Sequence, residues 1–354
     1  STVINGGVLA HTSNKILNSW DKLLGENFFL NDDFFQECAL VEKNLLNKYK
    51  KNDFEYLSNS SEILINAAKK KNYITKSTKL AFNNLHIDHN SPFGCKNGNK
   101  NSLDKNYHKN ILDLGGQIIS ETKVLKIIHE NELVKEIITE NIKTKELKKI
   151  EVSNLIISAG ATQTPNLLLK NGMVKNVNPL NFHMNLKVLC LYESATNCHK
   201  SSLLTHHVRE FEDDGVLFMA SNYIKPLIAS YLNFQSSKKI KNFMKNFKNG
   251  TVFNCQIQPN FSNATIKKSI LMNDISIKWK LDERDFIKIK KYLKKLVELV
   301  FISGAKEVIL PIENTSKVFF NLDDAYNQID TLKKKKLRDY LRSCDELLFN
   351  KQKF

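Results

Sequence analysis

Hydrophobic positions repeat at helical spacing over residues 32–48, where Phe34, Phe35, Ala39, Val41, Leu45 and Leu46 predict an amphipathic helix. A second helix is expected over 60–70, with Ser60 or Ser61 as its cap. Residues 72–98 keep neither period and read as irregular, and 101–114 is helical again, closed by Gly115-Gly116. Then alternation takes over. A strand is expected over 117–128, followed by segments 134–140 and 146–152 folding as a hairpin about a Lys-rich turn at 141–145.

The next stretch, 154–173, reads differently. Leu155-Ile156-Ile157 is a short apolar run of the kind a buried parallel strand shows, and Ala159-Gly160-Ala161 leaves bare backbone behind it. Thr164 reads as an N-cap, Pro165 as the first helical residue and Gly172 as the residue past the helix end. Strand, bare backbone and helix start make a place where a ligand can lie against the main chain. A helix packed between two strands is βαβ logic, the logic of a nucleotide-binding sheet.

Beyond Pro179 the apolar pattern lengthens into alternating segments, at 186–192, 202–209, 251–258 and 269–280, which predict an antiparallel sheet. Between them, 237–248 sets Ile240, Phe243, Met244 and Phe247 on one face and lysines around it. This segment reads as a surface helix beside a substrate entrance, and its pattern also suits docking on an anionic membrane surface. Residues 216–232 are apolar but interrupted by Asn222, Lys225 and Pro226, so they are expected to line a pocket or form a lid. Asp282 caps a periodic helix through Phe286, Ile289, Leu293, Leu296, Val297 and Val300, which Gly304 ends. A short strand follows at 306–311, and the tail after Leu332 is basic and helical in pattern.

Composition narrows the function more than the fold. The 354 residues are 42% hydrophobic and 25% charged, ordinary for a globular protein. A net charge of +16 invites nucleic acid as a partner, but Arg209, Arg284, Arg338 and Arg342 are the only arginines among 53 basic residues. Dispersed lysine gives a solvated surface, whereas base readout favours arginine, so no nucleic-acid partner is expected. Cys38, Cys95, Cys190, Cys198, Cys255 and Cys344 form no CxxC pair, which supports neither a zinc site nor a disulfide scaffold. Reduced thiols, and no apolar run of transmembrane length, fit a cytoplasmic protein, with peripheral membrane attachment as the alternative placement. His86/His89 and His206/His207 lack carboxylate or thiol partners at ligand spacing, and no metal is expected.

The pattern Gly160-Ala161, Thr164-Pro165, Leu167-Leu168-Leu169, Gly172-Met173 resembles the second signature of the glucose–methanol–choline (GMC) oxidoreductases, FAD-dependent enzymes that oxidise alcohols. Asn171 stands where that family usually has Ser. The resemblance continues in order along the chain. Ser1-Thr2-Val3-Ile4-Asn5-Gly6-Gly7 is similar to the segment after the family's glycine-rich flavin loop, with Trp20 following. The run from Gly94 through Cys95, Gly98 and Lys100 to Ser102 resembles the long-chain alcohol and sterol oxidase branches. Gly115-Gly116 through Thr122-Lys123-Val124 matches the strand approaching adenine, His183 the start of the substrate domain, and 301–308 a late helix–strand junction.

That resemblance implies an α/β plus α+β fold: an incomplete FAD/NAD(P)-binding, Rossmann-like domain with an antiparallel-sheet substrate domain. It implies a partial FAD-binding domain with a helical insertion over 1–178, a substrate-binding domain over 179–320 and a helical tail over 321–354. FAD is the implied cofactor. Asn5, Gly6 and Val8 would lie near its diphosphate and isoalloxazine, Val124 would hold adenine through its main chain, and Gly160 would let the backbone approach the ADP half. A small-molecule alcohol is the implied substrate, with hydride passing to flavin. The chain contains neither GxGxxG nor the family's HPxG, so no catalytic residue is assigned. The expectation is a central portion of such an enzyme, purifying without tightly bound flavin. The alternative is an inactive fragment or binding module.

Overall fold

A computed structural model describes residues 6–46, 57–83, 95, 98–175, 177, 179–200, 204–232, 235–268, 275–312 and 318–334. Their strands are β1 (Val8–Leu9), β2 (Thr75–Ser77), β3 (Lys79–Leu80), β4 (Thr122–Glu130), β5 (Leu133–Asn141), β6 (Leu147–Glu151), β7 (Met184–Leu191), β8 (His206–Val208), β9 (Val216–Ala220), β10 (Gly250–Ile257), β11 (Asn263–Lys268), β12 (Ile275–Lys280), β13 (Glu307–Ile309) and β14 (Val318–Phe319). The helices are α1 (Asn14–Leu24), α2 (Asp32–Leu46), α3 (Asn59–Lys70), α4 (Tyr107–Asp113), α5 (Gly160–Lys170), α6 (Lys225–Tyr231), α7 (Ser237–Lys245), α8 (Glu283–Ile302) and α9 (Leu322–Asp330). The chain divides into two compact units, Ser1–Asn110 with His183–Gln258 and Phe286–Phe354, and Ile111–Phe182 with Pro259–Asp285.

The first unit is built on a seven-stranded sheet in the order β14-β13-β7-β10-β9-β8-β2, antiparallel throughout. Register puts Leu186, Val188, Cys190, Phe253, Cys255 and Phe218 on one face. Phe211 bridges that face to α8, its ring 5.5 Å from Phe218 and 5.2 Å from Tyr292. Ile289, Leu293, Leu296, Val297 and Val300 are buried along α8 at the predicted spacing. Each contributes about 1.5–3 kcal/mol by leaving water. Leu189, Leu191, Val252 and Ile309 belong to the opposite face, where Ile228 and Leu232 at α6 and Phe243 and Phe247 at α7 cover them.

One expectation is corrected here. Residues 216–232 form a core strand and a covering helix, β9 and α6, not a lid, because Val216, Phe218, Ala220 and Ile228 all point inward. In segment 237–248, Phe243 and Phe247 are buried in the hydrophobic cluster, and Ile240 and Met244 are partly buried against it.

α3 begins two to three residues earlier than expected, with Ser58 as cap: its hydroxyl accepts from the Ser61 N–H at 3.3 Å. Ser60 is used elsewhere, its oxygen accepting from Thr251 Oγ1 at 3.3 Å. Near the N-terminus, α1 and α2 form a hairpin that the sequence reading missed. Buried Asp21 organises it by accepting from the N–H groups of Phe28, Phe29 and Leu30 at 2.8, 2.7 and 3.1 Å. The region read as irregular holds β2 and β3. β3 pairs with β1 in the register Val8↔Leu80 and Leu9↔Lys79.

The second unit contains the β4-β5-β6 meander and the β11-β12 hairpin. The expected turn at 141–145 is an Asx turn, Asn141 Oδ1 accepting from Lys143 and Thr144 N–H at 2.9 and 3.0 Å. At its other end, Asp285 accepts from the backbone N–H groups of Asn260, Phe261 and Ser262 and from the Ser262 hydroxyl at 2.6–3.0 Å. The expected parallel strand at 155–157 does not form: all described strand pairs are antiparallel, and Ile156 is 89% exposed. A fully apolar strand needs a sheet neighbour on each side, and the described residues supply none to it. The basic tail after Lys334 lies outside the described residues, as do His86 and His89.

Candidate cofactor and substrate site

Gly160 opens α5 in a left-handed conformation, φ +91°, and a Cβ built there would meet nothing within 4 Å. The helix starts at Gly160 rather than at the predicted Pro165, which leaves Pro165 inside the helix, without an N–H to give the Ala161 carbonyl. No side chain caps this terminus, so the first turn presents its own N–H groups beside the exposed Ser158-Ala159-Gly160-Ala161 backbone. The far end is a Schellman motif: Met173 N–H donates to Leu168 O at 3.1 Å and Gly172 N–H to Leu169 O at 3.3 Å, with Gly172 at φ +69°.

Val124 lies half-buried in β4, an edge strand, beside a bulge that leaves Leu125 unpaired against β5. The edge is open to other groups, and one of its donors is already taken. Ile127 N–H donates to Asn171 Oδ1 at 2.9 Å, while Asn171 Nδ2 donates to Leu167 O at 2.8 Å. Asn171, the departure from the family pattern, thus ties the end of α5 to the strand that carries Val124. The structure brings Val124 and Gly160 into one unit.

Gly6 and Val8 lie in the other unit. Gly6 is exposed, and Val8 is exposed at 40% in β1. Their neighbour Gly7 is constrained by packing: at φ +64° its absent Cβ would lie 2.4 Å from Phe82 Cε2. Asn5 lies outside the described residues. Of the Gly94–Ser102 run, Gly94, Lys96 and Asn97 are also outside. The remainder packs against β3: Cys95 Sγ accepts from Lys100 N–H at 3.1 Å and Asn101 N–H donates to Ala81 O at 2.7 Å. His183 precedes β7 directly, and burial, then Lys187, lowers its pKa.

Sequence reasoning missed a polar group on the same sheet face as Leu189 and Val252, further along β7 and β10. There Asn254 Nδ2 donates to Asn185 Oδ1 at 2.9 Å, and Lys187 Nζ donates to Ser221 Oγ at 3.0 Å. Asn254 is 4% exposed and its Oδ1 has no hydrogen-bond partner. Whichever way the amide is turned, one of its ends is unmet. No linear signal announces this, since only strand register brings residues 185 and 254 together. Among the described residues no group of three metal-binding side chains occurs, and no helix is long and apolar enough to cross a membrane.

These features fit an FAD half-site: open space at Gly160 that a Cβ would fill, orphan N–H groups at the start of α5, and an open strand edge at Val124. The class is a mixed α and β protein with antiparallel sheets. A family profile described as GMC oxidoreductase matches residues 1–188. The chain belongs to the GMC oxidoreductase family, whose cofactor is FAD.

Among solved structures, pyridoxine 4-oxidase from Mesorbium loti aligns with a TM-score of 0.49 at 9% identity, covering 69% of this chain and 51% of that one. An FAD-dependent oxidoreductase from Chaetomium thermophilum aligns with a TM-score of 0.48 at 11% identity, covering 78% of this chain and 61% of that one. The chain therefore spans less than two thirds of either structure's length. No curated protein matches the sequence.

Proposed function

We propose that this chain forms the cofactor scaffold and substrate sheet of an FAD-dependent oxidoreductase acting on the CH–OH group of a small-molecule alcohol. Family membership over residues 1–188 is the observation that carries the reading. In it, residues 1–178 serve FAD and 179–320 serve the substrate, with 321–354 as a helical extension. Val124 offers main-chain groups to adenine, Gly160 gives the ADP half close access to the backbone, and Asn5, Gly6 and Val8 are assigned to the diphosphate and isoalloxazine by the family resemblance. Bound FAD supplies the acceptor for the hydride leaving the alcohol carbon. The chain's own part is to bind and orient: the unmet Asn254 amide and the Lys187–Ser221 pair supply polar groups to a hydroxylated ligand.

A binding module without turnover is the second reading, favoured by the unpaired 155–157 segment, in which Ile156 is exposed. Anaerobic mixing of the FAD-loaded natural gene product with a panel of primary and secondary alcohols separates the two. The oxidoreductase reading predicts bleaching of the flavin's visible band by at least one alcohol. A flavin that stays oxidised with every alcohol, yet bleaches with dithionite, sinks it in favour of the binding module.

A further inference from the structure

Between β1, α1 and α2 lies a cavity of ≈ 360 Å³, at the small end of the size range of ligand sites. Leu9, Leu17, Phe34, Phe35 and Val41 form its apolar wall. The polar side belongs to Glu42, His11 and Thr12, and the Cys38 thiol is also on the lining. Three separate elements fix this arrangement. The Leu9↔Lys79 register of β1 and β3 sets Lys79 against Glu42, with which it forms an ion pair. His11 Nε2 reaches the other carboxylate oxygen, Glu42 Oε2, at 3.0 Å. The Asp21-bound turn holds α1 and α2 together, and edge-to-face contacts from Phe29 to Phe34 (5.3 Å) and Phe34 to Phe35 (5.9 Å) stiffen the wall.

We propose that this cavity binds a neutral aliphatic alcohol, hydrocarbon chain inward against the apolar wall and hydroxyl at Glu42. The charges on the page select that class. A carboxylate ligand would face Glu42, and an ammonium ligand would compete with Lys79 and His11 for the same oxygens. A hydroxyl does neither. A carboxylate has about four lone-pair sites, and Lys79 and His11 take one on each oxygen, so acceptor capacity for one more donor remains. The Thr12 hydroxyl lies on the same lining and can donate back to the ligand oxygen. Burying a neutral hydroxyl with its hydrogen bonds made costs far less than burying an unpaired charge. The site shares its ligand class with the oxidoreductase reading but does not rest on it, since none of its groups is a proposed flavin contact and its test needs no flavin.

Cys38 reports occupancy. In the 354-residue chain, N-ethylmaleimide modification is followed peptide by peptide, with 1-octanol, n-octane or octanoate present and half-buried Cys95 as internal reference. The expected result is that 1-octanol slows modification of Cys38 by at least about fivefold near saturation and leaves Cys95 unchanged. Glu42→Gln, which keeps the shape and removes the charge, should remove most of that protection. Val41→Trp, at a position already part-exposed, should abolish it with the far-UV circular dichroism unchanged. Equal protection by n-octane, stronger protection by octanoate, or no protection by 1-octanol would each overturn the assignment.

Discussion

His207 is buried on the sheet, 2.7 Å from Thr78 Oγ1, and burial, then Arg209, His206 and Lys76, pushes its pKa down to about 4. The unfolded chain, with an ordinary histidine near 6.5, binds the extra proton between those two values. Stability is therefore complete above about pH 6.5 and falls by up to about 1.4 kcal/mol per pH unit toward pH 4. His207→Gln keeps a hydrogen-bonding side chain without the titration, so urea midpoints measured across that window should flatten relative to the parent. Asp285 works in the opposite chemical class. Burial is the largest influence and raises its pKa, but the hydrogen bonds from Asn260, Ser262 and Phe261 together outweigh it, and the net shift is downward. Its contribution is present above the ordinary carboxylate value of about 3.9 and is lost as pH falls through the lower folded one. Asp285→Asn, which turns donors toward donors, should cost about 2–4 kcal/mol in chemical denaturation at neutral pH. Asn254 should behave differently: Asn254→Leu removes an unmet buried group, so its stability cost should be near zero while affinity for hydroxylated ligands falls.

At the level of elements, Asn171 joins α5 to β4. Asn171→Ala removes one hydrogen bond to Ile127 and one to Leu167, and should cost about 1–3 kcal/mol, read as a lowered melting temperature. The helices and antiparallel strands were largely legible in the sequence because their periodicity is local: α2, α8, the β5–β6 hairpin and β7 and β10 lie close to where spacing put them. What could not be read depended on partners distant in the chain. The short strands β2 and β3 exist only through β8 and β1, and the α1–α2 hairpin depends on one buried carboxylate rather than on an apolar stripe. The predicted strand at 155–157 shows the converse error, since apolar composition names a buried strand only where a neighbouring strand is present. Of the candidate site, Gly160 and Val124 are proposed through a resemblance in order along the chain. Lys187, Asn254 and the Glu42–His11 pair carry no linear signal; register and helix packing bring them into place.

For the whole molecule, +16 of net charge comes from lysine spread over the surface, with only four arginines. Any DNA binding should be electrostatic, weakening steeply between about 50 and 200 mM salt and indifferent to sequence. Filter binding that ranked one duplex well above another at the higher salt would contradict that. The central claim is that α5 and β4 form the ADP half of an FAD site. Its most direct test is an equilibrium titration of FAD with the chain and with Gly160→Val, ADP and riboflavin serving as competitors. The account predicts weak, saturable binding that ADP displaces and riboflavin does not, reduced at least about tenfold by Gly160→Val, a loss of about 1.4 kcal/mol. FAD binding that survives Gly160→Val unchanged, or that riboflavin displaces and ADP does not, would contradict it.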